Sequence, residues 1–373
     1  METRPRSALA FVAAALLTAS PLSAATLHVP GDSPTIQGAI QLAQPGDSVV
    51  VAAGTYSENL TMRSGILIRG TSGAAATIVD GRYLGPVILC SQAQDFTIED
   101  LTIRRGNMSG YPGGAGISMN YSSGIFSRCV IADNLAGRDG GGIAVVDSRA
   151  TIQHCLFENN SAATGAFLDG GAIFGYRSVL VVEDSRLVDN LAHEGGGIAV
   201  AEFSTAVVRR CVLARNEATA IGPAGGAIIV NFSDAQILSN TIVENRTPLT
   251  GASVALLHGH TITGERNIVA LATGNGLACG LTTTISCNDV WGSAGTDYVG
   301  CSPGPSNLSA DPLFCDLATL DLRLDQASPC APAQSPPGCG LIGALDIGCG
   351  PVAIEPATWG RIKAHYAPPT PAP

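Results

Sequence analysis

The chain has 373 residues, of which 46% are hydrophobic and only 13% are charged, and its formal net charge is −10. Glycine is abundant, with 45 residues, and aromatic residues make up 5%, a composition that favours a turn-rich β structure over a helical one. Lys363 is the one lysine among 20 basic residues, and an acidic, lysine-poor chain argues against nucleic acid as a partner because phosphate binding needs clustered cations.

Residues 1–25 have the pattern of a secretory signal peptide. Arg4 and Arg6 form a basic start, residues 9–17 form a short apolar stretch, and residues 23–25 form a small-residue cleavage site. An uncleaved anchor is the alternative, although the apolar run is too short to cross a bilayer and no later run reaches the roughly 20 residues required. We therefore expect a protein without a transmembrane helix that is secreted or extracellular, or attached to an outer membrane.

A short amphipathic helix is predicted directly after the signal peptide. Between residues 32 and 43, Ile36, Ile40 and Ala43 recur at helical spacing. The segment 45–47, Pro-Gly-Asp, ends the helix, and a buried strand is expected from Ser48. A helix in this position would cover the open end of a stack of strands, which would otherwise invite aggregation.

The central part of the chain repeats one short phrase of about six residues. The phrase begins at five positions spaced 26, 30, 26 and 29 residues apart, namely Cys129, Cys155, Ser185, Cys211 and Asn240. Gly-rich phrases ending in isoleucine recur in step with it. A period in this range indicates stacked structural units, and short β-branched runs between Gly, Asn and Asp turns indicate a coil of parallel strands. The predicted fold is all-β, a right-handed parallel β-helix (a solenoid) over residues 26–290 with an N-terminal capping helix.

Each repeat phrase ends in asparagine, which tolerates left-handed backbone geometry and can hydrogen-bond along a stack. We predict a structural ladder, with a row of sugar-contacting amides as the alternative. Its members are Asn134, Asn160, Asn190, Asn216 and Asn245.

Ten of the eleven cysteines fall into two groups. Three of them share one slot of the repeat and are predicted to point into the coil: Cys129, Cys155 and Cys211. Seven others crowd residues 279–349, a stretch rich in Pro and Gly, so that residues 291–350 are predicted to form a Cys-rich C-terminal cap held by disulfides. Metal binding is the alternative, but closely spaced CxxC pairs are missing. Proximity in sequence favours the pairs Cys301–Cys315 and Cys330–Cys339.

Three carboxylates occupy equivalent places on successive coils, four residues before the isoleucine of each Gly-rich phrase: Asp139, Asp169 and Glu194. We predict that they line one exposed edge of the coil. Like charges this close attract a cation or raise the pKa of one carboxyl group, and oxygen ligands would suit Ca²⁺. Ordinary solvated turn residues are the alternative interpretation. Arg138 and Arg177 lie near the row in the sequence and could supply a base.

The segments Thr35–Ile40, Pro45–Val51 and Gly54–Tyr56 resemble the N-terminal cap of bacterial secreted right-handed parallel β-helix proteins, the pectate-lyase-like superfamily. The Gly-rich phrases paired with Phe157–Asn160 are similar to the repeats of chlamydial polymorphic outer-membrane proteins, which are surface adhesins. These resemblances imply the pectin lyase-like fold and a polysaccharide or cell-surface partner.

Two classes of function follow. The first is a non-catalytic secreted or cell-surface protein that engages glycans or other surface partners through its repeat face. The second is a Ca²⁺-dependent polysaccharide lyase or another polysaccharide-degrading enzyme. The first is favoured because no complete catalytic set is recognisable, and no cofactor other than Ca²⁺ is suggested. Residues 351–373 form a Pro/Ala-rich tail, for which an unstructured end or a docking peptide is expected.

Overall fold

The computed structural model describes residues 24–110, 113–162, 169–222, 224–248, 250–259 and 261–350. Within these residues the chain winds as a right-handed parallel β-helix, as predicted. The predicted tail lies outside the described residues, as do residues 1–23 of the predicted signal peptide. No helix in the described part of the chain is long and apolar enough to cross a membrane.

Each coil contributes one short strand to each of three long parallel sheets. Sheet A contains eleven strands: Thr26–Val29, Ser48–Val51, Leu67–Gly70, Phe96–Glu99, Ser123–Ser127, Arg149–Gln153, Val179–Glu183, Thr205–Arg209, Asp234–Leu238, Ile262–Glu265 and Thr283–Ser286. Sheet B contains ten strands: Gly54–Tyr56, Thr77–Asp80, Thr102–Arg104, Val130–Ala132, Leu156–Glu158, Arg186–Val188, Val212–Ala214, Thr241–Val243, Ile268–Ala270 and Asp289–Trp291.

Sheet C also contains ten strands: Leu60–Thr61, Ile88–Ser91, Ile117–Asn120, Ile143–Val146, Ile173–Tyr176, Ile198–Ala201, Gly225–Asn231, Ala252–Leu256, Asn275–Cys279 and Tyr298–Val299. A small sheet D lies between B and C along the chain and is formed by Asn107–Met108, Leu135–Ala136, Ser161–Ala162, Leu191–Ala192 and Glu217–Ala218. In the middle coils the chain therefore passes from sheet C to A, B and D before it returns to C one coil further on.

The core is a set of columns in which equivalent side chains of successive coils lie on top of one another. One column runs through the start of the sheet C strands and is fully buried: Ile88, Ile117, Ile143, Ile173, Ile198 and Ile228. Neighbouring coils are about 4.8 Å apart, which is contact distance for these branched side chains. Burial of each isoleucine contributes about 1.5–3 kcal/mol. Strands of three to five residues are stable because every coil supplies the core of the next.

The predicted N-terminal helix is present but shorter than the sequence pattern indicated, spanning Ile36–Leu42. It begins after Thr35, whose Oγ1 accepts a hydrogen bond from the backbone N–H of Gly38 at 3.0 Å. Glu58 accepts further hydrogen bonds from the first free N–H groups of the helix. Ile36 and Ile40 are fully buried against the first coils, so the helix covers apolar side chains at this end of the coil.

The five asparagines of the repeat phrase lie at one turn of successive coils and are buried. Each Nδ2 donates to the Oδ1 of the next member at 2.9–3.0 Å. On the later coils, asparagines occupy the position that the interior cysteines occupy on the earlier ones, and they form a second hydrogen-bonded ladder. Its members are Asn240, Asn267, Asn288 and Asn307. The buried amides have no access to an external sugar, so the alternative of a sugar-contacting row is wrong. The interior cysteines Cys129, Cys155 and Cys211 are buried and carry free thiols.

The C-terminal residues after the coil lie against its side. The coil itself continues beyond residue 290, because Tyr298–Val299 still pairs with sheet C. A three-stranded sheet then follows, formed by Phe314–Asp316, Asp321–Asp325 and Ile347–Cys349. Leu322, Leu324 and Ile342 of this C-terminal module (residues 313–349) pack on the outward side chains of sheet B, including Val243 and Ile268.

Three disulfides are present in this region, but the two predicted pairs are wrong. The bonds join Cys279 to Cys301, Cys287 to Cys339 and Cys315 to Cys349. Stacking of sheet C brings the first pair together, and packing of the C-terminal module on sheet B brings the second pair together, so proximity in sequence was a poor guide. Cys330 is a buried free thiol whose Sγ lies 3.0 Å from Oδ2 of Asp289.

We predict that Asn160→Ala destabilises the coil by at least about 2 kcal/mol, because it leaves the buried N–H and Nδ2 of Asn134 without their acceptor. Chemical denaturation measures this effect. Asn59→Ala is the control, since Asn59 is exposed and bonds only to the Pro86 carbonyl. Equal stability of the two variants would contradict a stabilising role for the ladder.

Peptide mapping under non-reducing conditions should recover the three observed disulfides, and after unfolding Cys330 should be alkylated together with the free cysteines of the coil. Cys330 is enclosed by the C-terminal module, where its thiol lies against the carboxylate of Asp289. It should therefore react only when the module is detached or denatured. Recovery of a Cys330–Cys339 peptide would contradict the observed connectivity.

Candidate functional site

The acidic row predicted from the sequence forms a column in the Gly-rich segments that precede sheet C. Asp139 and Asp169 are almost completely buried, so the prediction of an exposed edge is wrong for these two residues. Asp139 accepts a hydrogen bond from the N–H of Gly113 at 2.8 Å, and Asp169 accepts one from the N–H of Asp139 at 2.9 Å. The carboxylates thus continue from coil to coil in the way the asparagines do, while Glu194 is half-buried.

One oxygen of the column has no described partner. Oδ2 of Asp169 is buried and accepts no hydrogen bond from the described residues. Nδ1 of His193 on the next coil is also buried and has no hydrogen-bond partner among them. Burial is the main cause that raises the pKa of Asp169 to about 7, and the negative charge of Asp139 adds to the effect. Burial also raises the pKa values of Asp139 and Glu194. Asp169 is therefore a carboxyl group that titrates near neutral pH.

The two arginines considered as bases lie in different places. Arg138 is next to the column, where its positive charge offsets part of the rise that burial causes in the pKa of Asp139. Arg177 lies at the other end of the sheet C strands, paired with Asp147 at 2.6 Å. The structure therefore does not bring Arg177 to the acidic row.

The described residues contain no group of three or more His, Cys, Asp or Glu side chains placed to hold a metal ion. Calcium requires six to eight oxygen ligands, whereas one oxygen each of Asp139 and Asp169 already accepts a backbone N–H. The geometry fits a structural column better than a calcium site. Calcium binding at Asp139, Asp169 and Glu194 stays a prediction.

A second region was missed by the sequence analysis, at the turn from sheet C to sheet A. Each of these turns has an outward-pointing residue followed by a serine, and the residue pairs stack on successive coils: Tyr121–Ser122, Asp147–Ser148, Arg177–Ser178, Phe203–Ser204 and Phe232–Ser233. The serines are buried, and from Ser148 onward each Oγ accepts the N–H of the serine on the preceding coil at 2.9–3.2 Å. We call the surface formed by the outward residues the turn groove.

The outward residues all adopt left-handed backbone geometry, with φ between 46° and 57°. This geometry is unusual for aromatic residues and reverses the chain sharply, which directs the side chain away from the coil. The serine ladder holds the turn in place, so the identity of the outward residue is free to vary. The repeated X-Ser pair was visible in the sequence and would have located the groove.

The N-terminal half of the turn groove is polar. A cavity of about 590 Å³ is lined there by Asp95, Tyr121, Asp147, Arg149 and Arg177, among others. Tyr121 is 54% exposed, and Arg149 is also exposed. This half offers carboxylate, guanidinium, hydroxyl and aromatic groups on adjacent coils.

The C-terminal half of the turn groove is apolar and aromatic. A cavity of about 420 Å³ is lined there by Phe203, Phe232, His258 and Leu281, among others. The rings of Phe232 and His258 stack with their centroids 4.9 Å apart. Phe203 is 78% exposed and Leu281 is fully exposed, which is costly for large apolar side chains unless they bind a partner.

We predict that the free energy of unfolding falls more steeply with rising pH in the wild-type protein than in the Asp169→Asn variant. The pKa of Asp169 is about 7 in the folded state against a usual 3.8, so the folded protein binds more protons between about pH 4 and pH 7. The stability contributed by the protonated carboxyl is present below this window and is lost as the pH rises through it. Asparagine keeps an oxygen acceptor and cannot ionise. Denaturation midpoints measured across the window test this, and parallel curves for the two proteins would contradict it.

Comparison with known proteins agrees with this architecture. A family model described as a right handed beta helix region matches residues 86–290. Over 105 residues the chain is 31% identical to metabotropic glutamate receptor-like protein R of Dictyostelium discoideum, and the match spans 28% of this chain and only 6% of that protein.

Solved structures that resemble the chain do so at low identity. The pectate lyase Pel9A is 13% identical with a TM-score of 0.42, covering 88% of this chain and 98% of that one. The pectin methylesterase from carrot is 12% identical with a TM-score of 0.40, covering 72% and 89%. PfbA, a surface adhesin of Streptococcus pneumoniae, is 11% identical with a TM-score of 0.28, covering 70% and 87%.

The likeness to the chlamydial repeats stays a resemblance of sequence. The family match, in contrast, extends over more than half of the chain and coincides with the stacked coils of sheets A, B and C. The chain therefore belongs to the right-handed β-helix family.

Proposed function

We propose that this protein binds a polysaccharide along the turn groove and acts as a secreted or cell-surface β-helix protein. The observation that carries the proposal is the groove itself, in which exposed rings and hydrogen-bonding groups follow one another on successive coils. Outward side chains held by a ladder, one per coil and about 4.8 Å apart, form a linear array along the coil axis. A linear polymer of similar units is the ligand that such an array suits.

The chemistry of the groove also suits sugar rings. Each pyranose ring has apolar C–H faces that stack on aromatic side chains and a rim of hydroxyl groups that hydrogen-bond with carboxylate and guanidinium groups. Tyr121, Phe203 and Phe232 supply the aromatic surfaces. Asp95 and Arg149 supply polar groups close to Tyr121. Ligand sites usually combine apolar surfaces with a small number of precisely placed polar groups, and the groove has this composition.

An oxidising location agrees with this proposal. Three disulfides hold the last coils and the C-terminal module, and disulfides persist in secreted and surface proteins. An extracellular protein with an exposed array of rings meets polysaccharides directly. The proposal therefore places the protein outside the cytoplasm, released or surface-attached.

A polysaccharide-degrading enzyme is the second candidate, and Asp169 is the observation that favours it. A carboxyl group with a pKa of about 7 can donate or accept a proton near neutral pH. Incubation with a polysaccharide panel, with and without Ca²⁺, and detection of unsaturated or reducing ends would establish this activity. A rise in the melting temperature with Ca²⁺ that Asp169→Ala abolishes would establish the calcium site.

We predict that Tyr121→Ser weakens polysaccharide binding about two- to twelvefold, the loss expected for one aromatic contact worth about 0.5–1.5 kcal/mol. Tyr83→Ser is the matched control. Both tyrosines have positive φ and are about half exposed, at 54% and 46%, but Tyr83 lies in the segment between sheets B and C, outside the groove. Affinity electrophoresis in gels that contain single polysaccharides measures both variants, and an equal loss in the two would refute a role for the groove.

A further inference from the structure

The described residues that line the cavity of the aromatic half include no arginine or lysine. The basic side chain described there is His258, whose Nδ1 lies 2.9 Å from Oδ1 of Asn231 and whose ring stacks on Phe232. An acidic sugar bound on these rings would find no guanidinium or ammonium group among these described residues.

Acidic side chains flank the same half. Glu202 directly precedes Phe203 and is half-buried, and Asp234 lies two residues after Phe232. Oδ1 of Asp234 accepts a hydrogen bond from the N–H of Thr261 at 2.7 Å, which fixes the carboxylate beside the groove. The negative charge of Glu202 would repel a polyanion from the rings.

The polar half does not offset this repulsion. Its two cations are Arg149 and Arg177, and its two carboxylates are Asp95 and Asp147. Arg177 is already paired with Asp147 at 2.6 Å, and its Cζ lies 5.5 Å from the ring centroid of Tyr176. Two positive and two negative charges cancel among the described lining residues of this half, so that it adds no net positive charge to offset that of Glu202.

We propose that the ligand of the turn groove is a neutral polysaccharide, whose sugar rings stack on Phe203, Phe232 and His258 while its hydroxyl groups hydrogen-bond with the polar half. This inference rests on the proposed function and names its substrate class. The bound polysaccharide runs along the coil axis, because the two halves of the groove follow one another along that axis and both lie at the turn from sheet C to sheet A. Polyuronates and other anionic glycans bind more weakly, because the groove and the whole chain, with a net charge of −10, are acidic.

The stacking contribution is tested with two substitutions of similar exposure. Phe203→Ser removes a ring that is 78% exposed and should leave the fold unchanged, as checked by circular dichroism and by the melting temperature. Leu84→Ser is the matched control, because Leu84 is 71% exposed and lies outside the groove. We expect Phe203→Ser to weaken the binding of a neutral glucan or mannan about two- to twelvefold and Leu84→Ser to leave it unchanged.

The charge argument is tested with neutral and anionic polymers of matched length. Titration calorimetry should show tighter binding of soluble β-glucan, xylan or mannan oligosaccharides than of polygalacturonate or alginate oligosaccharides. Affinity for the neutral series should rise with length until the oligosaccharide spans both halves. Glu202→Gln should increase binding of the anionic polymers and leave binding of the neutral polymers unchanged.

The outcomes separate this inference from the proposed function. Binding of no polysaccharide at all would overturn both. Equal or tighter binding of anionic polymers that depends on Tyr121 would overturn the neutral substrate class and keep the groove as a glycan site. Neutral binding that Phe203→Ser does not weaken would overturn the stacking arrangement.

Discussion

The structure depends on how it satisfies the backbone at its turns. Each coil reverses direction several times, and the N–H groups at these turns lie between coils, away from water, where an unpaired donor is costly. At each of three turns, a side chain from the following coil accepts one of these donors: asparagine Oδ1 at one turn, serine Oγ at another, and cysteine Sγ or asparagine Oδ1 at a third. A ladder of this kind fixes the register of every strand, because a slip of one residue would leave a whole row of donors unpaired.

The same ladders explain why the surface can vary while the core repeats. The residue before each ladder serine adopts positive φ and points outward, so it can be Tyr121, Asp147 or Phe203 without a change in the turn. The column of Asp139, Asp169 and Glu194 shows the consequence of placing a carboxylate, which has no N–H to donate, at a ladder position. Asp169 accepts the N–H of Asp139 with one oxygen, but its second oxygen is buried with no partner among the residues that the structure describes. Burial of the carboxyl group raises its pKa to about 7.

Much of the fold could be predicted because it is periodic. The repeat phrase located the coils, the interior cysteines and Asn160 with its equivalents. The apolar residues Ile36 and Ile40 at helical spacing located the helix. The disulfides could not be predicted in the same way, because Cys287 and Cys339 meet through the packing of the C-terminal module on sheet B. The burial of Asp169 and the turn groove were not recognised, since Gly-rich segments and outward turn residues have no hydrophobic pattern that shows which way they face.

The rigidity of the ladders bears directly on recognition. The rings of Phe232 and His258 are held one coil apart by buried hydrogen bonds and by sheet pairing on both sides, with Ser233 anchoring the turn between them. A ligand that matches this spacing meets a surface that is already ordered, so that association need not order the backbone of the site. The helix at Ile36–Leu42 covers apolar side chains at one end of the coil, and the Cys279–Cys301 disulfide links the last two strands of sheet C near the other. On the proposed function, selectivity for one polymer would come from the outward residues, whose charges and rings differ from coil to coil.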